Sequence, residues 1–243
     1  MMQRVRRIGI GIFTTLAICS YLSQAPAADV ERFEVSSIKA IRPTLVDTIT
    51  ALQQRDIARA KASFEAYDSG WNGIEVYINT RNKDMYQLLE LDFQPRIIKA
   101  LDRPNPDIPA LLTDVRAMLA KFDETVSMIE TAAPLNPLYD DVARLRIVRA
   151  HLREVNPALK AGNIAKAQKS FEAFNDTWFN IEDFVRARSL DAYVVIERGM
   201  VQIEQVLFAD KPDLAAATAL VNVVMSQYNA VVADVQKEAR GRQ

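Results

Sequence analysis

Cysteine and histidine are almost missing from this chain of 243 residues, which has one of each, Cys19 and His151. That shortage leaves thiolate zinc sites, haem ligation and Cys-His or Ser-His nucleophilic pairs without material. Glycine is scarce too, with seven residues, and none form a glycine-rich phosphate loop. Nor is there any sustained alternation of apolar and polar residues, so strands and hairpins are not expected. With no nucleophile placed beside a base, an enzyme is not expected either.

Long apolar runs are confined to the amino terminus. Arg4, Arg6 and Arg7 precede an apolar run from Ile8 to Leu22, and Ala25-Pro26-Ala27 supplies small residues for cleavage. The pattern predicts a signal peptide over 1–27 and an extracytoplasmic, periplasmic-type location. The run is short against the roughly 20 apolar residues of a membrane span, and no later segment is expected to cross one. Leu16 to Cys19 resembles a lipoprotein cleavage box only loosely, because Ile18 is bulky for its place, so export without lipid is expected. Without the three leader arginines the 30 basic residues fall to 27 against 31 acidic. That balance gives no basic face for nucleic acid or anionic lipid.

What the chain does have is an internal repeat. Residues 57–90 and 164–197 align without a gap and share Ser-Phe-Glu-Ala, a Trp, an Ile-Glu pair, an Arg, an Asp, a Tyr and a final Glu. In each copy aromatic and aliphatic residues recur at steps of three and four: Phe64, Tyr67, Trp71, Ile74 and Ile78, then Phe171, Phe174, Trp178, Ile181 and Val185. This is the core stripe of a packed helix. Asp56 and Asn163, Asn82 and Ser189, and Asp107 and Asp213 stand where helix caps belong. Pro95 is expected to kink the third helix of the first copy, where the second copy has Gln202. The reading is an all-α fold, a tandem duplication of a four-helix up-down bundle. Its units are 28–131 and 138–243, joined by a linker at 132–137, and separate lobes and one shared core both remain open.

Carboxylates are the remaining chemistry. Heptad numbering puts Asp68, Glu75, Asn175 and Glu182 beside the core stripe of the second helices, with Glu65 and Glu172 further out. Glu90 and Glu197 directly follow the core residues Leu89 and Ile196 of the third helices. Each unit thus carries one border glutamate on each of two neighbouring antiparallel helices, an arrangement suited to a hard cation such as iron, manganese or calcium. The competing reading is an ion-pair network, since Arg81 and Arg188 are duplicated alongside. His151 aligns with Thr44 and lies outside the repeated pattern.

The segments GWNGIEVYINTRNKDMYQLLE and TWFNIEDFVRARSLDAYVVIE resemble the extracytoplasmic helical region of the bacterial high-affinity iron permease family. The resemblance covers the second and third helices of both copies, and the second copy is closer. It implies a setting near iron acquisition, iron as the bound cofactor, and Glu75, Glu90, Glu182 and Glu197 as ligands supported by Arg81 and Arg188. A membrane iron permease or another extracytoplasmic protein would be the partner. Where the family has a second acidic residue beside the aromatic, this chain has Asn72 and Phe179. The permease's Arg-Glu-x-x-Glu motifs and membrane helices are absent, so the expected role is accessory: binding or delivery rather than transport. The alternative expectation is a ligand-free helical interaction scaffold or assembly factor.

Overall fold

A computed structural model describes residues 31–242. The leader, its cleavage point after Ala27 and Cys19 lie outside the described residues. The described chain is helical throughout, with no strand: α1 (Phe33–Gln53), α2 (Ile57–Arg81), α3 (Lys83–Gln87), a π-helical turn (Leu88–Phe93), α4 (Gln94–Leu101), α5 (Ile108–Thr131), α6 (Leu138–Lys160), α7 (Ile164–Trp178), α8 (Glu182–Arg188), α9 (Leu190–Leu207) and α10 (Leu214–Gly241).

The six expected caps all act. Asp56, Asn82, Asp107, Asn163, Ser189 and Asp213 each accept a hydrogen bond from the backbone N–H three residues on, satisfying a donor that has no partner within its helix. The turn before α2 and the turn before α7 repeat each other in detail. Arg55 and Gly162 both take positive φ, at 60° and 71°, and Asp56 and Asn163 both bond back to the helix they leave. Glycine adopts that conformation without cost, whereas Arg55 does so against its Cβ.

The expected stripes are buried, and they carry two aromatic ladders. Tyr67 lies between Phe64, Trp71 and Phe122, and Trp178 between Phe174, Tyr193 and Tyr228, with ring centroids 5.7 to 6.4 Å apart. Helices α1, α2, α4 and α5 pack with one another in the first half; α6, α7, α9 and α10 do so in the second. The core does not stop at the linker: the described residues form one compact unit with one continuous apolar cluster.

The seam between the halves is α2 against α6. Gly73 makes this approach possible, because a Cβ there would lie 2.3 Å from Ile147 Cγ1 and 3.4 Å from the Ala143 carbonyl. Gly70 does the same for α1, where Ile41 occupies the space. These glycines therefore mark close helix contacts, which is why the second copy can have Thr177 and Asn180 in their places. Polar bonds reinforce the seam: the Tyr77 hydroxyl donates to Asp140 at 2.7 Å, Arg146 pairs with Glu75, and Arg144 lies 4.3 Å from the Phe33 ring centre.

Three local expectations change. Pro95 replaces a simple kink with the π-helical turn just before it, where Gln94 N–H reaches back five residues to the Leu89 carbonyl. The second copy's helix breaks after Trp178, because Asn180 bonds locally to the Thr177 carbonyl and competes with the helical ladder. Finally, α10 does have the length and composition of a membrane span, with a mean hydropathy of 1.2 over its most apolar window. Here it packs on α6 and α9, and its Tyr228 hydroxyl donates to the Leu145 carbonyl.

Candidate functional site

The duplicated arginines do not reach the duplicated glutamates. Arg81, in the last turn of α2, points to the start of α1, where it donates to Glu34 at 2.7 Å and to the Ala133 carbonyl at 3.0 Å. Arg188 ends α8 and pairs with Glu238 of α10 at 2.8 Å, its guanidinium lying 5.0 Å from the Phe184 ring centre. Heptad position gave the right face of each helix, but the long guanidinium arms reach along the bundle to carboxylates on other helices.

Two of the four candidate glutamates have protein partners of their own. Glu75 is held by Arg146 across the seam, and burial pushes its carboxyl up while Arg146 opposes that rise. Glu197 accepts from the Trp178 indole N–H, so the repeated Trp and final Glu of the sequence are bonded partners. Glu182 opens α8, where a carboxylate complements the positive end of a helix. In each half a repeated tyrosine lies near both glutamates. Burial raises Tyr86 above the usual phenol range, and the charges of Glu75 and Glu90 add to it; Tyr193 shows the same with Glu197 and Glu182. Among the described residues, no group of three or more Asp, Glu, His or Cys side chains is gathered as for a metal.

What the fold does bring together is Asp68 and Glu90, with Gln94 beside them. In the amide orientation that its neighbours require, Gln94, only 3% exposed, donates to Asp68 Oδ1 at 2.9 Å and accepts from Trp71 Nε1 at 3.2 Å. The π-helical turn carries Glu90, and Gln94 follows it directly. Asp68, Glu90, Gln94 and Asp102 line an open cavity of about 750 Å³, with Lys99 and Arg103 at its wall. Burial pushes both carboxyls up; the charge of Asp68 adds to the rise at Glu90, and a hydrogen bond from Trp71 opposes it. The second half has no such pair, because Asn175 and Val201 stand where Asp68 and Gln94 do and α9 runs without a π turn.

Asp68 was visible in the sequence as a border residue, whereas Gln94 was missed. Its only signal was its place beside Pro95, at the one proline-bearing position of the third helix that the repeat does not share.

The raised carboxyls fix the sign of a pH effect. A carboxyl whose folded pKa lies above its unfolded value binds protons more tightly when folded, so it adds stability at low pH and loses it as pH rises through the folded value. Asp68, Glu75 and Glu90 therefore make the protein more stable on acidification from neutrality toward the upper edge of the usual carboxylate range. Asp47 and Glu238 are lowered, chiefly by side-chain hydrogen bonds from Ser63 and Arg188, and act oppositely in more acidic solution. Asp68→Asn, which keeps an acceptor for Gln94, is expected to raise the midpoint temperature at pH 7 and flatten its rise on acidification from pH 7. A midpoint that falls at pH 7 would show that the charged form is the stabilising one.

Comparison with protein-family models, characterised proteins and solved structures finds no match to this chain.

Proposed function

We propose that this protein is an exported helical binding module whose first half takes a hard cation between Asp68 and Glu90, in support of iron uptake. The observation that carries the reading is the pair itself: two carboxylates from different helical segments, both pushed toward neutrality by burial, on the wall of one open cavity. A bound cation would offset the cost of ionising them. Two carboxylates with water completing the shell suit iron, manganese or calcium better than a soft metal. The extracytoplasmic setting rests on the leader pattern. The link to iron, with a membrane iron permease as partner, rests on the resemblance of the repeated segments. Glu75, Glu182 and Glu197 are left out of this ligand set, since the first is paired with Arg146 and, in the half that holds the others, Asn175 stands in the place of Asp68.

A second reading, the ligand-free scaffold, is favoured by the second half, where Arg188, Glu197 and Trp178 all have structural partners. Titration calorimetry with ferrous, ferric, manganous and calcium ions separates the two. One saturable event is expected, abolished by Asp68→Asn or Glu90→Gln and unchanged by Glu182→Gln with Glu197→Gln. The thermal midpoint should rise with the bound cation, because a ligand that binds only the folded state stabilises it. No saturable binding of any of the four ions would leave the scaffold as the answer.

A further inference from the structure

Where α2, α3, α6 and α10 meet at the seam of the two halves, the wall of the cavity is polar instead of apolar. It holds about 410 Å³, and among its lining residues are Glu75, Asn79, Tyr86, Tyr139, Arg146 and Arg240. Two guanidinium groups face one carboxylate there. Arg146 is largely buried, its side chain 13% exposed, and it gives one terminal nitrogen to Glu75 and the other to Gln236. Burial lowers its pKa, Glu75 opposes that, and the charges of Arg240 and Arg153 lower it further. The wall is thus short of negative charge.

It is also short of acceptors. Tyr139 is 1% exposed, and its hydroxyl has no hydrogen-bond partner among the described residues; the buried Nε of Arg146 has none either. Native interiors seldom leave such groups unpaired, because each lost bond costs the desolvation of a polar group. Both groups donate, and both belong to residues lining the same cavity, so an acceptor reaching them would satisfy both, and the surplus of guanidinium charge favours a negative one.

We infer that this seam cavity is a binding site for a small organic carboxylate, held by Arg240, with the charge of Arg146 behind it and the Tyr139 hydroxyl as a further donor. The planar guanidinium of Arg240 matches a carboxylate's two oxygens. With Glu75 on the same wall, one of the two guanidinium charges is left over, which favours a ligand carrying a single negative charge. The volume lies in the range of small-molecule pockets. The cavity shares no lining residue with the one at Asp68 and Glu90, and needs no cation. Since its walls come from both halves, a ligand there would also hold α2 and α10 against α6.

The test is calorimetric titration of the whole protein with the monocarboxylates acetate, lactate and benzoate at constant ionic strength in the presence of a chelator, with phosphate and chloride as comparators. The chelator removes cations, so the outcome is independent of the Asp68 and Glu90 reading. Saturable binding of at least one carboxylate is expected, weakened about tenfold by Arg240→Gln, which removes a charge-assisted donor at an exposed position. Tyr139→Phe should weaken it about threefold or more while leaving the ligand-free midpoint temperature unchanged or higher, since the hydroxyl has no protein bond to lose. A purely structural tyrosine would not separate the two readouts in this way. The inference is overturned if no carboxylate saturates, if phosphate or chloride binds as well, or if both variants bind like the parent.

Discussion

Replacing Arg81 with methionine is expected to cost about 3 kcal/mol of folding stability, the low end of the range for breaking a buried ion pair. The Arg81 side chain is 10% exposed and that of Glu34 is 4%. Losing Arg81 leaves a buried carboxylate with Arg32 alone, which pairs with it at 2.8 Å but is more exposed. Arg32 is why the expected loss sits at the low end. The substitution also releases the Ala133 carbonyl, so the start of α1, the end of α2 and the linker come apart together. The double variant Glu34→Leu with Arg81→Met should recover most of the loss, because an apolar pair of similar volume has no charge to desolvate. Urea denaturation of the three variants measures this; a single variant within about 0.5 kcal/mol of the parent would mean that Arg32 and solvent suffice for Glu34.

The second large effect belongs to Gly73. Gly73→Leu is expected to cost about 3 kcal/mol or more, at the upper end for overpacking, although leucine is the better helix former by nearly 1 kcal/mol. The reason is geometric: the first carbon of the new side chain already overlaps Ile147 Cγ1, and the carbonyl of Ala143 closes off the other side. The two helices must therefore separate, which opens the seam that Tyr77, Asp140, Glu75 and Arg146 bridge. Ile147→Ala should restore part of the loss in the Gly73→Leu background while destabilising the parent. That sign of coupling identifies direct contact. Additive effects in the cycle would place the damage elsewhere in α2.

Both effects fall at positions where the two copies carry different residues or different partners. Gly73 has Asn180 as its counterpart, and the helix breaks there; Arg81 has Arg188, yet one reaches α1 and the other α10. A repeat in sequence thus preserved the caps and stripes and allowed the contacts to diverge. In the first copy the same divergence produced Asp68, Gln94 and the π-helical turn, the features that set the candidate cation site apart from its counterpart.

Helix, cap and core were legible in the sequence because they are local properties. A period of three to four residues decides which face is buried, and a short polar side chain before a helix bonds a backbone donor three residues away whatever surrounds it. So the caps at Asp56, Asn82, Asp107, Asn163, Ser189 and Asp213, and the buried stripes from Phe64 and Phe171, could be read directly. Which carboxylate meets which cation could not. A border position fixes the face of Glu75 but not that α6 lies opposite it and offers Arg146, nor that Trp178 lies within reach of Glu197. Those pairings depend on how helices far apart in sequence cross, and on the long arms of arginine and glutamate, which reach several neighbouring sites. The seam cavity is decided the same way: Tyr139, Arg146 and Arg240 come from separate turns of α6 and α10, and only the crossing of those helices with α2 turns three ordinary residues into one wall.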